Sequence, residues 1–348
     1  MVTIYEVAAR AGVSPATVSR VMNGAKVSAE SERLVRAAAA ELAFTPNRTA
    51  RRLRGQRSAV IGLIIPDIEN PFFTALARGV ENRARAAGYS VVLCNTDEDP
   101  AREATYIDIA LAEHMAGVIL APADDASDVS RLVAHRRPVV AVDRSLARAD
   151  VDAVTVDNRA GGRSAAESLF AAGFTRVACI TGPSSVETAQ LRMAGWRQAA
   201  SRHATGRADA AGTKSAKGTS GAKGSDGDLD ELLRYADYRV DGGRAAMADL
   251  LALPRPPDAA VVANNLMAAG ALDALHDAGL APPGFGLAVF GDLPFASFGR
   301  RGIRVVDLPA RELGEAAAAL LLERIGGDDG PARTVVLRTR DHSTREQR

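Results

Sequence analysis

The sequence predicts an all-α helix-turn-helix headpiece joined by a hinge helix to an α/β core of two doubly wound parallel-sheet subdomains. Three observations predict it. Two short helical patterns flank Gly12, apolar runs of four to six residues alternate with helical stretches from Ser58 onward, and 348 residues exceed what one small core holds. With 47% hydrophobic and 24% charged residues the chain reads as a water-soluble globular protein. No apolar run approaches the roughly 20 residues of a membrane helix, and Met1-Val-Thr-Ile-Tyr-Glu lacks the basic and apolar regions of a secretory signal. Cys94 and Cys179 lie in apolar strand-like runs and read as buried free thiols, so a cytoplasmic location is expected.

Charge is distributed unevenly. Residues 1–57 carry ten Lys/Arg against four acids, a surplus of +6, so the remainder carries −5 of the net +1. A basic end on an acidic body suits a polyanion at one end and another ligand elsewhere, with a solvated basic surface as the plain alternative. Thr3-Ile-Tyr-Glu6 has the form of a capping box and predicts a helix over 4–11, with Val7 and Ala8 facing inward. Gly12 ends it, and Ser14-Pro15 begins a second helix that stops at Asn23-Gly24. A third helix fits Ser28 to Ala43, its alanines 37–40 packing under the first two. The second helix suits a major groove. Val18 and Val21 belong to its core face; Pro15, Ala16, Thr17 and Arg20 face outward. Arg20 can fork onto a guanine edge, Pro15 and Ala16 can touch a thymine methyl, and Thr17 and Ser19 suit phosphate oxygens. Ordinary exposed helix residues are the competing reading at each position.

The stretch Thr3-Ile-Tyr-Glu-Val-Ala-Ala-Arg-Ala-Gly-Val-Ser-Pro-Ala-Thr-Val-Ser-Arg-Val-Met-Asn-Gly24 resembles the DNA-binding headpiece of the LacI/GalR repressor family. The resemblance continues through Val27-Ser28, Glu41-Leu-Ala-Phe-Thr-Pro-Asn-Arg48 and Ala59-Val-Ile-Gly-Leu-Ile-Ile-Pro66, and covers nearly the whole chain apart from one insertion. It implies a helix-turn-helix domain over 1–45, a hinge over 46–57 and a periplasmic-binding-protein-like core over 58–348. Within the core it implies one subdomain of about 58–157 and 291–308, and another of about 158–290 and 309–340. The DNA contacts implied are Thr3, Ser14, Pro15, Ala16, Thr17, Ser19, Arg20, Asn23, Asn47, Arg48, Ala50 and Leu53. Pro46 bars helix before it, Asn47 can cap a short helix over about 48–54, and Gly55 ends it. In the family a leucine from this hinge wedges into the central minor groove of the operator, and Leu53 among Arg48, Arg51, Arg52 and Arg54 is its match. A flexible basic linker is the alternative there.

In the body, strands are expected at 60–65, 90–94, 117–121, 138–142, 153–156, 176–181, 259–263, 287–290, 302–306 and 334–338. Helices are expected at 72–87, 102–114, 159–172, 186–200, 243–251, 267–278 and 310–325. Ligands of such sheets bind outside the carboxyl ends of the strands. Asp67, Asn70, Phe72 and Phe73 follow the first strand, where aromatic faces can stack on a sugar ring. Asp143 and Arg144 follow the strand ending at Val142, a carboxylate beside a guanidinium that suits a polyol. Asn264 and Asn265 follow Val261-Val262-Ala263, and Asp292 follows Phe290-Gly291. The resemblance adds Arg192 and Trp196, in a stretch similar to the one whose arginine contacts effector, and Tyr238, where the family often has an aromatic. Core packing competes with a ligand role at Phe73, Trp196 and Tyr238. Two departures from the family stand out: Asn264-Asn265 replaces Asn-Asp, and Phe290-Gly291-Asp292 replaces Phe-Asp-Asp. Two fewer carboxylates mean fewer acceptors for hydroxyls. The stretch from about 203 to 228, rich in Gly, Ser, Thr and Lys, reads as a disordered surface insertion.

The resemblance thus implies a homodimer on palindromic operator DNA, repressing carbohydrate-utilisation genes under control of a sugar-like effector, nucleoid-associated when bound. A purine, sugar phosphate or sugar acid effector, or a co-repressor mode, is the alternative. An enzyme reading fails on the residues themselves. None of His114, His135, His203, His276 and His342 sits at a strand end near a Ser or Cys nucleophile. There is no Gly-x-Ser-x-Gly, no P-loop and no metal-ligand cluster, so no cofactor and no metal are expected. A pure solute-binding protein does not account for the basic headpiece.

Overall fold

The computed structural model describes residues 2–22, 25–44, 58–146, 148–210, 223–292 and 302–341. The chain divides into two compact units, Met1–Ser58 and Ala59–Arg348. In the first, α1 (Ile4–Ala11), α2 (Pro15–Met22) and α3 (Ala29–Glu41) follow the expected order. The capping box forms: Glu6 N–H donates to Thr3 Oγ1 at 3.4 Å, and Thr3 N–H donates to Glu6 Oε2 at 2.7 Å. Gly12 leaves α1 at φ +66°, a region that favours glycine. Val7, Ala8, Ala11, Val18, Val21, Val35, Ala38 and Ala39 form the core of the three helices. The hinge, with Asn47, Arg48, Ala50 and Leu53, and also Asn23, lie outside the described residues.

The second unit contains two six-stranded sheets. In chain order the elements are β1 (Val60–Ile65), α4 (Pro71–Ala86), β2 (Ser90–Asn95), α5 (Pro100–Ala112), β3 (Gly117–Leu120), α6 (Ser130–Ala134), β4 (Val139–Val142) and β5 (Asp152–Val156). Then come α7 (Asn158–Ala171), β6 (Val177–Thr181), α8 (Glu187–Ala210), α9 (Lys223–Glu231), β7 (Leu233–Tyr235), α10 (Val240–Leu251), β8 (Ala259–Val262), α11 (Asn265–Asp277) and β9 (Gly286–Phe290). The last are β10 (Ile303–Asp307), α12 (Ala310–Gly326), β11 (Thr334–Leu337) and β12 (Arg340–Asp341). One sheet runs β11-β5-β4-β3-β1-β2 with parallel pairs throughout. The other runs β12-β10-β9-β8-β6-β7, parallel except for the β10–β12 pair. The strands β3, β4, β8 and β9 are buried at every position, which is why their sequences are continuous apolar runs. No helix among the described residues is long and apolar enough to cross a membrane.

Two expectations need correction. Residues 291–308 were expected in the first subdomain and 309–340 in the second, and the structure reverses this. Strand β10 pairs with β9 in the second sheet, Ile303 opposite Leu287, whereas α12 packs Leu313, Ala317 and Leu321 with Ile61 and Leu76 of the first, and β11 pairs with β5. Local periodicity identifies a strand or a helix; long-range partners decide which sheet it joins. Reciprocal glycines fix the α12 choice, since a Cβ at Gly79 would lie 2.2 Å from the Arg311 carbonyl oxygen and one at Gly314 would lie 2.1 Å from that of Leu76. The second correction concerns the insertion. Residues 203–210 continue α8, the His203 ring stacking on Phe170 with centroids 4.1 Å apart, and residues 223–231 form α9. Residues 211–222 lie outside the described residues. Both cysteines are free and buried, and burial pushes the Cys179 thiol up to about 12.

Candidate functional site

In the headpiece, Ser14 begins α2 by accepting the Thr17 N–H at 3.1 Å, and the two hydroxyls share a further hydrogen bond at 2.9 Å. Val18 and Val21 point inward and Pro15, Ala16 and Arg20 are exposed, as the helical period requires. The basic side chains divide into two groups. Arg10 pairs with Glu41, Arg33 with Glu30 and Arg36 with Glu32, all on the surface. Arg20, by contrast, has no acidic partner among the described residues, so its fork remains available to an anion or a base edge. Thr3 is committed to capping α1.

In the second unit a void of about 450 Å³, part of it open solvent, lies between the lobes. Its walls come from the carboxyl ends of strands in both sheets, where parallel topology gathers the loops. After β1 come Asp67, Asn70, Phe72 and Phe73; after β2, Glu98; after β4, Asp143 and Arg144. The second lobe adds Thr188 and Arg192 from α8, Tyr238 after β7, Asn264 and Asn265 after β8, Phe290 and Gly291 at the end of β9, and Leu308 after β10. Glu98, Asp143 and Tyr238 hold φ of +60°, +67° and +63°, a costly conformation for side chains other than glycine. Gly182 is required by close approach, since a Cβ there would lie 2.1 Å from the Tyr238 ring.

Polar capacity in the cleft is mostly committed. Asn70 Oδ1 accepts the Phe72 N–H to cap α4, and Asn264 Oδ1 accepts the Met267 N–H to cap α11 while its amide donates to the Tyr238 carbonyl. Asn265 donates to the Asp292 carbonyl at 3.2 Å. Arg192 Nε donates to Asn158 Oδ1 at 2.8 Å and Nη1 to the Ala263 carbonyl at 2.6 Å, with its guanidinium 4.6 Å from the centre of the Phe290 ring. Tyr238 and Thr188 share a hydrogen bond at 3.1 Å. Arg144 Nη1 donates to Glu98 Oε2 at 2.8 Å and to the carbonyls of Pro122 and Ala123, and Nη2 donates to Glu98 Oε1 at 2.8 Å. Arg144 Nε is 3.7 Å from Asp143 Oδ2. Among the described residues, that leaves two buried atoms of the cleft without hydrogen-bond partners, Arg144 Nε and Asp143 Oδ1. Such a neighbouring donor and acceptor pair is matched by a hydroxyl, which both accepts and donates.

Electrostatics follow from burial. Desolvation pushes the Asp143 carboxyl up, against the pull of Arg144 and Arg192, and pushes Asp67 and Tyr238 up as well. The same desolvation lowers Arg192, and it opposes the Arg144 charge too, but the hydrogen bonds that Arg144 donates to Glu98 hold that guanidinium above the ordinary arginine range. Across the mouth, Ser145 N–H and Oγ donate to the two Glu187 carboxylate oxygens at 2.6 and 2.7 Å, and Arg239 lies 3.4 Å from Asp67. Among the described residues no group of three or more His, Cys, Asp or Glu could hold a metal.

Ten of the twelve expected effector residues line this cleft: Asp67, Asn70, Phe72, Phe73, Asp143, Arg144, Arg192, Tyr238, Asn264 and Asn265. Trp196 does not. It is fully buried in the second-lobe core, its Nε1 donating to the Val177 carbonyl at 3.1 Å, so its one polar atom is already satisfied by β6. Asp292 is exposed and contributes its carbonyl to Asn265 rather than its carboxylate to the cavity. Glu98, Thr188, Phe290, Gly291 and Leu308 were missed. Glu98 and Leu308 follow strands, so the strand-end rule applied to every strand would have found them; Thr188 is one helical turn before Arg192.

Comparison with known proteins agrees with both units. Residues 3–47 match the model for bacterial regulatory proteins of the lacI family, and residues 61–328 match the periplasmic binding protein domain. The ribose operon repressor of Escherichia coli strain K12 is 34% identical over 331 residues, covering 93% of each chain. The HTH-type transcriptional regulator KdgR of Bacillus subtilis is 30% identical over 344 residues, covering 96% of this chain and 94% of the relative. Among solved structures, a lac repressor dimer bound to operator and an anti-inducer superposes with a TM-score of 0.80 at 27% identity, over 98% of this chain and 97% of that one. A helix-turn-helix whose outer-face arginine is unclaimed by any acid among the described residues, a two-lobed cleft and these full-length likenesses together place the chain in the LacI family of bacterial transcription regulators, DNA-binding proteins rather than enzymes.

Proposed function

We propose that the protein is a homodimeric cytoplasmic repressor of carbohydrate-utilisation genes, nucleoid-associated when bound, whose operator affinity is set by a small neutral sugar in the cleft. The observation that carries the effector half is the buried, unpartnered pair Asp143 Oδ1 and Arg144 Nε, which one sugar hydroxyl satisfies while Phe72 or Phe73 meets the ring. In the DNA half, Arg20 reads a guanine, Pro15 and Ala16 touch apolar base edges, and Ser14, Thr17 and Ser19 position the helix on phosphates. Asn23, Asn47, Arg48, Ala50 and Leu53 extend that contact. A two-fold dimer matches a palindromic operator, and sugar binding that favours one arrangement of the lobes changes DNA affinity by the same factor by which DNA changes sugar affinity. The relatives named for ribose make D-ribose the first probe. Selection from random duplex DNA followed by mobility-shift titration should enrich a palindrome. D-ribose or a related sugar should change that affinity, and Arg20→Ala should weaken the selected site by about 1–3 kcal/mol while sparing non-specific binding. Enrichment of no sequence would overturn the DNA half; no thermal stabilisation by any pentose or hexose would overturn the effector half.

A further inference from the structure

Glu103 lies outside the cleft, in the first turn of α5, and is 2% exposed. Its Oε2 accepts the Ala123 N–H at 2.7 Å, and the Ser127 hydroxyl donates to the same carboxylate. The oxygen of that same peptide group, the Pro122 carbonyl, accepts Arg144 Nη1 at 2.7 Å. The next carbonyl, Ala123, accepts the same nitrogen at 3.0 Å. One amide is therefore gripped from both ends, its N–H by a carboxylate and its oxygen by a guanidinium. Both charges polarise the amide in the same sense, so each hydrogen bond strengthens the other. A buried carboxylate is costly, and a first-turn acid needs no burial to favour the helix dipole. We propose that Glu103 is a positioning residue for Arg144: acting through the Pro122–Ala123 peptide, it fixes the guanidinium so that Nε stays beside the Asp143 carboxylate at the cleft wall. Glu98 accepts from both Nη1 and Nη2, and the Pro122 carbonyl accepts from the same Nη1, so two acids hold the guanidinium, one directly and one through an amide.

This assignment rests on the cleft being the effector site, so its first readout needs no effector. In the full-length protein, the Arg144 Nε–H resonance, assigned through its own backbone amide, should shift in Glu103→Ala and exchange with water about tenfold faster. Glu103→Gln, which keeps an acceptor for the Ala123 N–H, should restore most of both. D-ribose affinity, read by calorimetry, should fall about tenfold in Glu103→Ala and less in Glu103→Gln. If Glu103→Ala does not fold, Ser127→Ala should give a smaller shift of the same sign. An Arg144 resonance unmoved in the folded Glu103→Ala protein, or in Ser127→Ala where that is the variant used, overturns the proposal. If the resonance moves while no pentose or hexose binds even the parent protein, the Glu103 assignment holds and the effector reading is what fails.

Discussion

Asp143 combines two costs at one position, a left-handed backbone and a carboxylate buried beside two guanidiniums with one oxygen unpartnered. Burial raises its folded-state pKa above the ordinary value, so the folded protein holds that proton to higher pH than the unfolded chain. Stability therefore falls as pH rises from the ordinary carboxylate range through the raised value. An asparagine at this position would keep the shape and tolerate the left-handed region, and it does not ionise. Relative to the parent, Asp143→Asn should thus be more stable at pH near 8 than at about pH 4, read by urea unfolding at both. It should also weaken D-ribose binding about tenfold or more, through the lost charge-assisted bond. A stability difference that does not change with pH would show that Asp143 does not carry the strain assigned to it. At this scale the sequence is legible where chemistry and topology coincide: a charged pair directly after a strand is visible in the letters. Trp196 was misread because Arg192 and Trp196 are one turn apart on α8, and nothing local says which of the two faces the cleft and which faces β6.

Helix α8 carries Arg192 to the cleft, and what fixes α8 is its crossing with α7. A Cβ at Gly162 would lie 2.1 Å from the Arg192 carbonyl oxygen, and one at Gly195 would lie 2.2 Å from that of Arg159, so the two backbones touch where Arg192 leaves the helix. Gly206, on the same helix, has nothing within 4 Å of the corresponding point. Two identical substitutions on one helix should therefore act in opposite directions. Gly195→Ala should cost about 1–3 kcal/mol by forcing the helices apart, and should weaken sugar binding because Arg192 moves with the backbone. Gly206→Ala should add about 0.5–1 kcal/mol by lowering the entropy lost on folding, leaving binding unchanged. Thermal and chemical unfolding of both variants checks the signs, and equal signs would sink the account. Helices and strands with strong periods were readable within a few residues of their ends. The three-residue β7 and the five-residue α6 were not, since neither is long enough to display a period, and both depend on tertiary partners.

The two lobes are not consecutive halves of the chain. It enters the second lobe at α7, stays through β10, returns to the first for α12 and β11, and ends its described course at β12 in the second. Sequence periodicity located these elements, but the division expected from the family resemblance exchanged the last two segments between lobes, because a strand of given composition can extend either sheet and only pairing across the chain decides. The consequence is energetic as well as topological: α12 completes the first-lobe core, although it lies more than 150 residues downstream of β5. Leu313 is fully buried there, in one cluster with Ile61, Leu76 and Val140. Leu313→Ala should cost about 2–5 kcal/mol, and hydrogen exchange should show where that cost falls. Amides of β1 and α4 should lose protection, while β8 and the environment of Trp196, the only tryptophan and a reporter of the second-lobe core, should change little. Loss of protection in β8 with β1 unaffected would restore the exchanged arrangement. Because the first lobe's core is finished by a segment reached only after the second lobe has formed its sheet through β10, the chain crosses between the lobes more than once, and a ligand that favours one arrangement of the lobes acts through all of these crossings, which is the linkage a regulator of this build requires.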